Sequence, residues 1–254
     1  MSAPVIETRG LAKSFPGHKV LNGVDLSVAQ GESLVVIGGS GSGKSVLMRT
    51  ILGLEEAEAG EVRLHGEAAT FAVRARFMQD FGMLFQNAAL FDSLPVWRNV
   101  AFRLLQKMPA AKARTRAVER LARVGLGPEI ADRMPADLSG GMRKRVGLAR
   151  AIAADPKVIF FDEPTTGLDP QRAAAINRLI RDIVTETHAT AVTITHDMTS
   201  VRTIADRVAM LDHGRLRWQG TVAEMDGATD PALRAFVAGQ ALDWRPLALQ
   251  DQPR

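Results

Sequence analysis

The run Gly38-Gly-Ser-Gly-Ser-Gly-Lys-Ser45 sets glycines directly ahead of a lysine and a hydroxyl, in the spacing G-x-x-x-x-G-K-[ST]. Glycines let a backbone fold closely round phosphate oxygens, its amides converge with a helix N-terminus on negative charge, and the lysine adds a cation. The hydroxyl after the lysine can give an oxygen to Mg²⁺. A flexible Gly/Ser linker would have no use for Lys44 and Ser45 at that point. Gly38, Gly39, Ser40, Gly41, Ser42, Gly43, Lys44, Ser45 and Val46 are therefore the expected nucleotide contacts. Further along, an apolar run from Val158 ends in Asp162 and Glu163. Adjacent carboxylates repel and resist burial. They could end a strand in solvent, but alongside a phosphate loop they suit a metal and a nucleophile. Asp162 would orient the Mg²⁺ shell, and Glu163 would polarise the water that attacks a γ-phosphate, a general-base role.

These groups need a scaffold that delivers loops side by side. Residues 33–37 read as a strand, the glycines as a tight loop, and the stretch from Lys44 as a helix. Strands at 61–64, 81–85, 158–161 and 191–195, with helices over 140–154 and 170–187, give the alternation of a parallel sheet covered on both faces. Residues 5–8 and 20–28, broken by Pro16-Gly17 and Asn22-Gly23, read as an antiparallel β region. Residues 208–212 and 215–219 read as a closing hairpin through His213-Gly214. Between Trp97 and Pro135 the pattern turns helical, with Val118, Leu121 and Ala122 among Arg114, Arg116, Arg120 and Arg123, which suggests an inserted helical subdomain.

The 254 residues suffice for one large domain or a domain with a subdomain, and 46% hydrophobic with 24% charged residues is ordinary globular composition. The net charge of +4 would suit anionic partners, but it reads as an arginine-rich solvated surface, and specific nucleic-acid binding is not expected. With no Cys, disulfides, cysteine-held metals and thiol nucleophiles are excluded. The first 15 residues lack the pattern of a signal peptide, and no apolar run reaches the roughly 20 residues that span a bilayer. Membrane association is therefore expected through a partner.

Leu138-Ser-Gly-Gly-Met142, one helix ahead of the Asp162-Glu163 strand, resembles the signature motif of ATP-binding cassette (ABC) proteins. The resemblance covers about residues 5–225 and implies an α/β fold: a P-loop NTPase cassette with a RecA-like parallel-sheet core, an N-terminal antiparallel β region and the helical insertion. It implies ATP and Mg²⁺ as ligands and a head-to-tail homodimer in which Ser139, Gly140 and Gly141 reach the γ-phosphate of the opposite subunit. Gln86 resembles the Q-loop glutamine, which implies a link from Mg²⁺ or the attacking water to a transport partner. Asp169 in Gly167-Leu-Asp resembles the D-loop residue acting across the dimer, and His196 in Ile194-Thr-His-Asp the switch histidine that holds the γ-phosphate. Phe15 and Val20 stand where the family packs an aromatic and an apolar residue on adenine; core packing is the rival role for Phe15. Many relatives have Tyr at the Phe15 position and Gln where this chain has Met142. The implied division is an ATPase core over 1–96 and 136–220, a helical subdomain over 97–135 and an extension over 221–254.

Within the family, Leu84-Phe-Gln-Asn-Ala-Ala-Leu-Phe-Asp-Ser-Leu94, Val96-Trp-Arg-Asn-Val100 and Leu138-Ser-Gly-Gly-Met-Arg-Lys-Arg145 resemble the ATPase of Mla-type phospholipid transporters. That likeness implies a membrane permease, an Mce-domain lipid-binding subunit, a STAS-domain subunit and a place on the cytoplasmic face of a bacterial inner membrane. An importer ATPase for a polar solute would share every catalytic motif. A non-transport ABC protein acting on DNA or ribosomes, or a module that no longer hydrolyses, fits less well: the chain has no second cassette or coiled-coil insertion, and it keeps Lys44, Asp162, Glu163 and His196. Leu90, Phe91, Leu94 and Trp97 are more apolar than a solvated loop needs, and mark the expected permease contact. Asp230-Pro231 to Gly239 reads as a capped helix with Leu233, Phe236 and Val237 on one face. Beyond it, residues 240–254 are expected to embrace the second subunit, with Trp244 as anchor, or else to form an unstructured tail.

Overall fold

The computed structural model describes residues 3–239. In order the chain forms β1 (Ile6–Phe15), β2 (His18–Val28), β3 (Ser33–Ile37), α1 (Lys44–Leu52), β4 (Ala59–Leu64), β5 (Glu67–Ala68), α2 (Phe71–Phe77), β6 (Phe81–Leu84), α3 (Val96–Val100), α4 (Ala110–Arg123), α5 (Gly140–Ala151), β7 (Val158–Asp162), α6 (Pro170–Thr187), β8 (Thr190–Ile194), α7 (Met198–Ile204), β9 (Arg207–Asp212), β10 (Arg215–Thr221), α8 (Val222–Asp226) and α9 (Pro231–Val237). The first sheet has the order β2-β1-β4-β5 and is antiparallel. The second has the order β10-β9-β3-β8-β7-β6; β10 closes its edge antiparallel and the other strands run parallel.

Strands β3 and β8 are buried along their whole length, and β7 as far as Asp162, because both faces of the sheet are covered. Along β3, Val35 and Ile37 enter one hydrophobic core and Leu34 and Val36 the other; along β7, Phe161 and Phe160 divide in the same way. Burying each of these phenylalanines stabilises the sheet by about 1.5–3 kcal/mol. Helix α6 covers the first face with Ile176, Ile180, Ile183 and Val184, at helical spacing, and is started by Asp169, whose side chain accepts from the amide of Arg172, with Pro170 in its first turn.

The helical insertion shares the core of α5, α6 and β7. Its apolar stripe on α4 is Ala113, Ala117 and Leu121, with Val118 half-buried; Ala122, expected on that face, is exposed. The reason is geometric: small alanines let α4 lie close to α5, and Ala122 falls outside the i, i+4, i+8 line. The expected boundary at 96/97 cuts α3 after its first residue, because Val96 is already helical and buried. Helix α5 ends at Ala151, short of 154, and β1 runs on to Phe15, well past 8. Helices α2, α7 and α8 were not evident in the sequence; they have 7, 7 and 5 residues and lack the first-turn proline that marks the equally short α9.

The β9–β10 turn has both central residues at positive φ, His213 at 45° and Gly214 at 71°, as a tight hairpin demands. A Cβ on Gly214 would stand 2.4 Å from the carbonyl oxygen of Val20, so the turn packs backbone to backbone on β2 and joins the two sheets beside the glycine loop. Helix α9 forms as expected: Asp230 caps it through the amide of Leu233, which is buried, while Phe236 and Val237 pack on the core. The expectation for residues 240–254 and Trp244 lies outside the described residues.

Candidate active site

Strand order gathers the site. β9, β3, β8, β7 and β6 are neighbours in that sequence, and their register pairs Ile37 with Met210, Val36 with Ile194, Asp162 with Ile194, and Leu84 with Phe161. The segments leaving their carboxyl ends are the loop from Gly38, the His196 segment, the Asp162-Glu163 pair and the Gln86 segment. In open parallel sheets this edge is where ligands bind.

The glycine loop is shaped for close backbone approach. Gly38 sits at φ 150°, Gly41 at 76° and Gly43 at 104°. A Cβ on Gly38 would come within 2.2 Å of the Leu211 carbonyl oxygen, and one on Gly43 within 2.8 Å of that of Val20. Gly43 precedes α1, so the helix amides open on to the loop. The Lys44 ammonium is buried and donates to the carbonyls of Gly38 at 2.8 Å and Gly39 at 2.9 Å. Burial pulls its pKa down, opposed by the charges of Glu163 and Asp162. Ser45 is exposed, Val46 half-buried, and Ser42 buried.

Asp162 ends β7 half-buried; burial and the neighbouring Glu163 push its carboxyl above the ordinary range, while Arg49, Lys144 and Lys44 pull it back. Glu163 holds a left-handed backbone at φ 46°. Its carboxylate stands 2.9 Å from Nδ1 of His196 through Oε1 and accepts from the hydroxyl of Thr166 at 3.0 Å through Oε2. His196 itself is exposed, with most of its imidazole open to solvent. Behind it the Asp197 side chain caps α7 through the amides of Thr199 and Ser200, and the Ser200 hydroxyl also contacts the buried Asn177 and Thr165.

Phe15 is exposed, with the Lys13 ammonium 5.2 Å from its ring centre, so it is not a core residue. Val20 lies where the β1–β2 register slips and abuts Gly43. Gln86 is exposed, and its carbonyl accepts from the Lys144 ammonium. Ser139 caps α5 by accepting from the amide of Met142, with Gly140 open to space beyond it. Met142 packs on the core instead of presenting a polar group. Asp169 caps α6 and pairs with Arg172 at 3.1 Å. Thus Lys44, Asp162, Glu163 and His196 share one edge of the sheet, while the polar contacts of Ser139 and Asp169 are local to their own helices.

The oxygen donors of Ser45, Asp162 and Gln86 are of the hard type that Mg²⁺ takes. Among the described residues no three His, Cys, Asp or Glu side chains form a metal cage. A Mg²⁺ ion that keeps waters and phosphate oxygens needs only one or two protein groups, so the residues present fit it. Sequence reasoning missed Thr166 and Lys144. Lys144 had a signal: it shares a helical face with Leu148 and Ala151, both buried.

Residues 21–166 match the family model described as ABC transporter. A methionine import ATP-binding protein of Caulobacter vibrioides is 46% identical over 231 residues, 87% of this chain and 68% of the relative. A sulfate/thiosulfate import ATP-binding protein of Methylococcus capsulatus is 40% identical over 239 residues, 91% of this chain and 68% of the relative. Among solved structures, a dimeric ATP-binding cassette in a post-hydrolysis state bound to ADP and Pi matches with a TM-score of 0.78 and 29% identity, covering 85% of this chain and 98% of that one.

Proposed function

Because the chain belongs to the ABC transporter family, as its ATP-binding and ATP-hydrolysing cassette, we propose that it works as a head-to-tail homodimer driving a separate integral-membrane permease. The observation that carries the catalytic part is the row of loops at one sheet edge, with buried Lys44 at the phosphate end and the Glu163 carboxylate beside His196. Gly38 to Val46 cradle the phosphates, and Phe15 with Val20 takes the adenine. Ser45, Asp162 and Gln86 hold Mg²⁺, which when bound offsets phosphate charge. Glu163 accepts a proton from the attacking water, and His196 contacts the γ-phosphate. Ser139, Gly140, Gly141 and Asp169 act on the partner's nucleotide; the open space beyond Gly140 leaves room for it. The division into a core over 1–96 and 136–220, a helical subdomain over 97–135 and an extension over 221–254 is part of this reading.

For cargo, the import ATPases of methionine and sulfate among the relatives support a polar-solute importer. Phospholipid transport with Mce-domain and STAS-domain partners is a second reading, supported by the segments Leu84–Leu94 and Leu138–Arg145. No helix among the described residues is long and apolar enough to cross a membrane, so attachment to the cytoplasmic face of an inner membrane would run through the permease. Exposed Phe91, its ring centre 4.7 Å from that of Phe102 with the planes tilted by 32°, offers it a surface. Purifying the chain with its membrane partners decides the cargo: a bound solute receptor supports import, copurified phospholipid supports the second reading, and purification of an active ATPase on ribosomes or DNA would overturn both.

A further inference from the structure

Lys144 is a buried cation that the hydrolytic scheme leaves unused. It lies on α5, the helix that begins at Ser139, and is 6% exposed. Its ammonium donates to two main-chain carbonyls from different loops, that of Gln86 after β6 and that of Glu163 after β7, the latter at 3.1 Å. Leu84 of β6 pairs with Phe161 of β7, so Gln86 and Glu163 leave the parallel sheet at the same level. Lys144 therefore ties together two neighbouring chain exits.

A lysine is a costly choice for that place. Burial pulls its pKa down, with Asp162 and then Glu163 holding it up. An apolar side chain such as those of Leu148 and Ala151 on the same helix face would avoid the desolvation. Its use has a counterpart in the backbone it holds. Glu163 has a left-handed conformation, φ 46°, of the kind that persists only where the surroundings over-determine it. Its amide donates to the Ile194 carbonyl at 2.9 Å, and its carbonyl accepts from the amide of Thr166 at 3.3 Å as well as from Lys144.

We propose that Lys144 is a positioning residue for ATP hydrolysis: by clamping the carbonyls of Glu163 and Gln86, it fixes the peptide from which the Glu163 carboxylate projects and passes movement of α5 to both loops. The proposal rests on Glu163 being the carboxylate that activates water. Because Ser139 starts the same helix, closure of a second cassette on Ser139 would be felt at Glu163 through one side chain.

Mg-ATP hydrolysis by the full chain tests this with Lys144→Met, which keeps the length but not the charge or donors, with Lys144→Arg, with Glu163→Gln and with the double variant Lys144→Met/Glu163→Gln. Lys144→Met should lower kcat by about 10- to 100-fold, the effect of losing the charge-assisted hydrogen bond to the Glu163 carbonyl, with ATP affinity and KM within about twofold of wild type. Lys144→Arg should recover part of kcat. In the Glu163→Gln background the Lys144 change should add little, since the group it positions is already gone. A wild-type kcat in Lys144→Met beside a disabled Glu163→Gln overturns the clamp alone. So does a loss that disappears when activity is expressed per folded molecule, measured by thermal melting. A wild-type rate in Glu163→Gln overturns the Glu163 assignment and the clamp with it.

Discussion

Nδ1 of His196 lies 2.9 Å from Oε1 of Glu163. Two strands meet at this contact: Asp162, the last residue of β7, pairs with Ile194 of β8, and the chain then delivers Glu163 and His196 to the same point. A carboxylate so held faces one way, and the exposed imidazole is left to meet the ligand. His196→Ala should therefore lower the ATPase rate by about 10- to 100-fold, as expected for a hydrogen bond to a charged group. Steady-state kinetics should place that loss in kcat, with ATP affinity close to wild type.

The glycine loop admits no side chain at Gly38, where a Cβ would strike the Leu211 carbonyl at 2.2 Å. Gly38→Ala should destabilise the fold by about 1–3 kcal/mol in denaturant unfolding and abolish ATP binding. Lys44→Ala removes the cation without that clash. It should weaken ATP affinity by about 10- to 100-fold in calorimetric titration while leaving unfolding near wild type.

Asp197 links pH to the His196 segment. Burial pushes its carboxyl up, but hydrogen bonds from Ser200 and Thr199 outweigh that and leave it below the ordinary carboxylate range. A depressed folded pKa means that its stabilising effect is whole above about pH 4, the usual unfolded value, and is lost as pH falls through the lower folded value. Asp197→Ala should cost about 1 kcal/mol at neutral pH through the lost cap of α7. In urea unfolding the gap to wild type should shrink on acidification below about pH 4.

Ser139 begins α5 with its hydroxyl on the Met142 amide and open space beside Gly140. If this end closes on a partner's γ-phosphate, a protein that binds but does not cleave ATP should dimerise when ATP is added. Glu163→Gln should double its mass in light scattering with ATP, and Ser139→Arg in that background should keep it monomeric. An ATP-independent mass for Glu163→Gln would speak against the sandwich.

The groups proposed to contact ligand were legible because a phosphate-binding loop dictates the spacing of its residues. Gly38 to Ser45 and Asp162-Glu163 are contiguous, and each sits at a strand end marked by an unbroken apolar run. Lys144 was not read, because its partners are main-chain carbonyls far away in sequence that only the fold brings to it; Thr166 was not read because its contact, though only three residues from Glu163, depends on the turn after β7. Asp169 shows the converse: its likeness to a cross-dimer residue was plain, while its cap on α6 emerged from the fold. The Phe15 ring, expected on adenine with core packing as its rival role, proves exposed at the last position of β1, paired with His18 beside the turn into β2. Cargo was the least legible feature, since the sequence contains the motor's chemistry and no part of the permease path.

Whether the Glu163 carboxylate activates the attacking water is decided by hydrolysis in Glu163→Gln under saturating Mg-ATP. The glutamine keeps the side chain's size and its place beside His196 and Thr166 but cannot take a proton. The rate should fall by about 10²- to 10⁴-fold, the usual contribution of a general base, with ATP still bound. Hydrolysis at the wild-type rate would contradict that role.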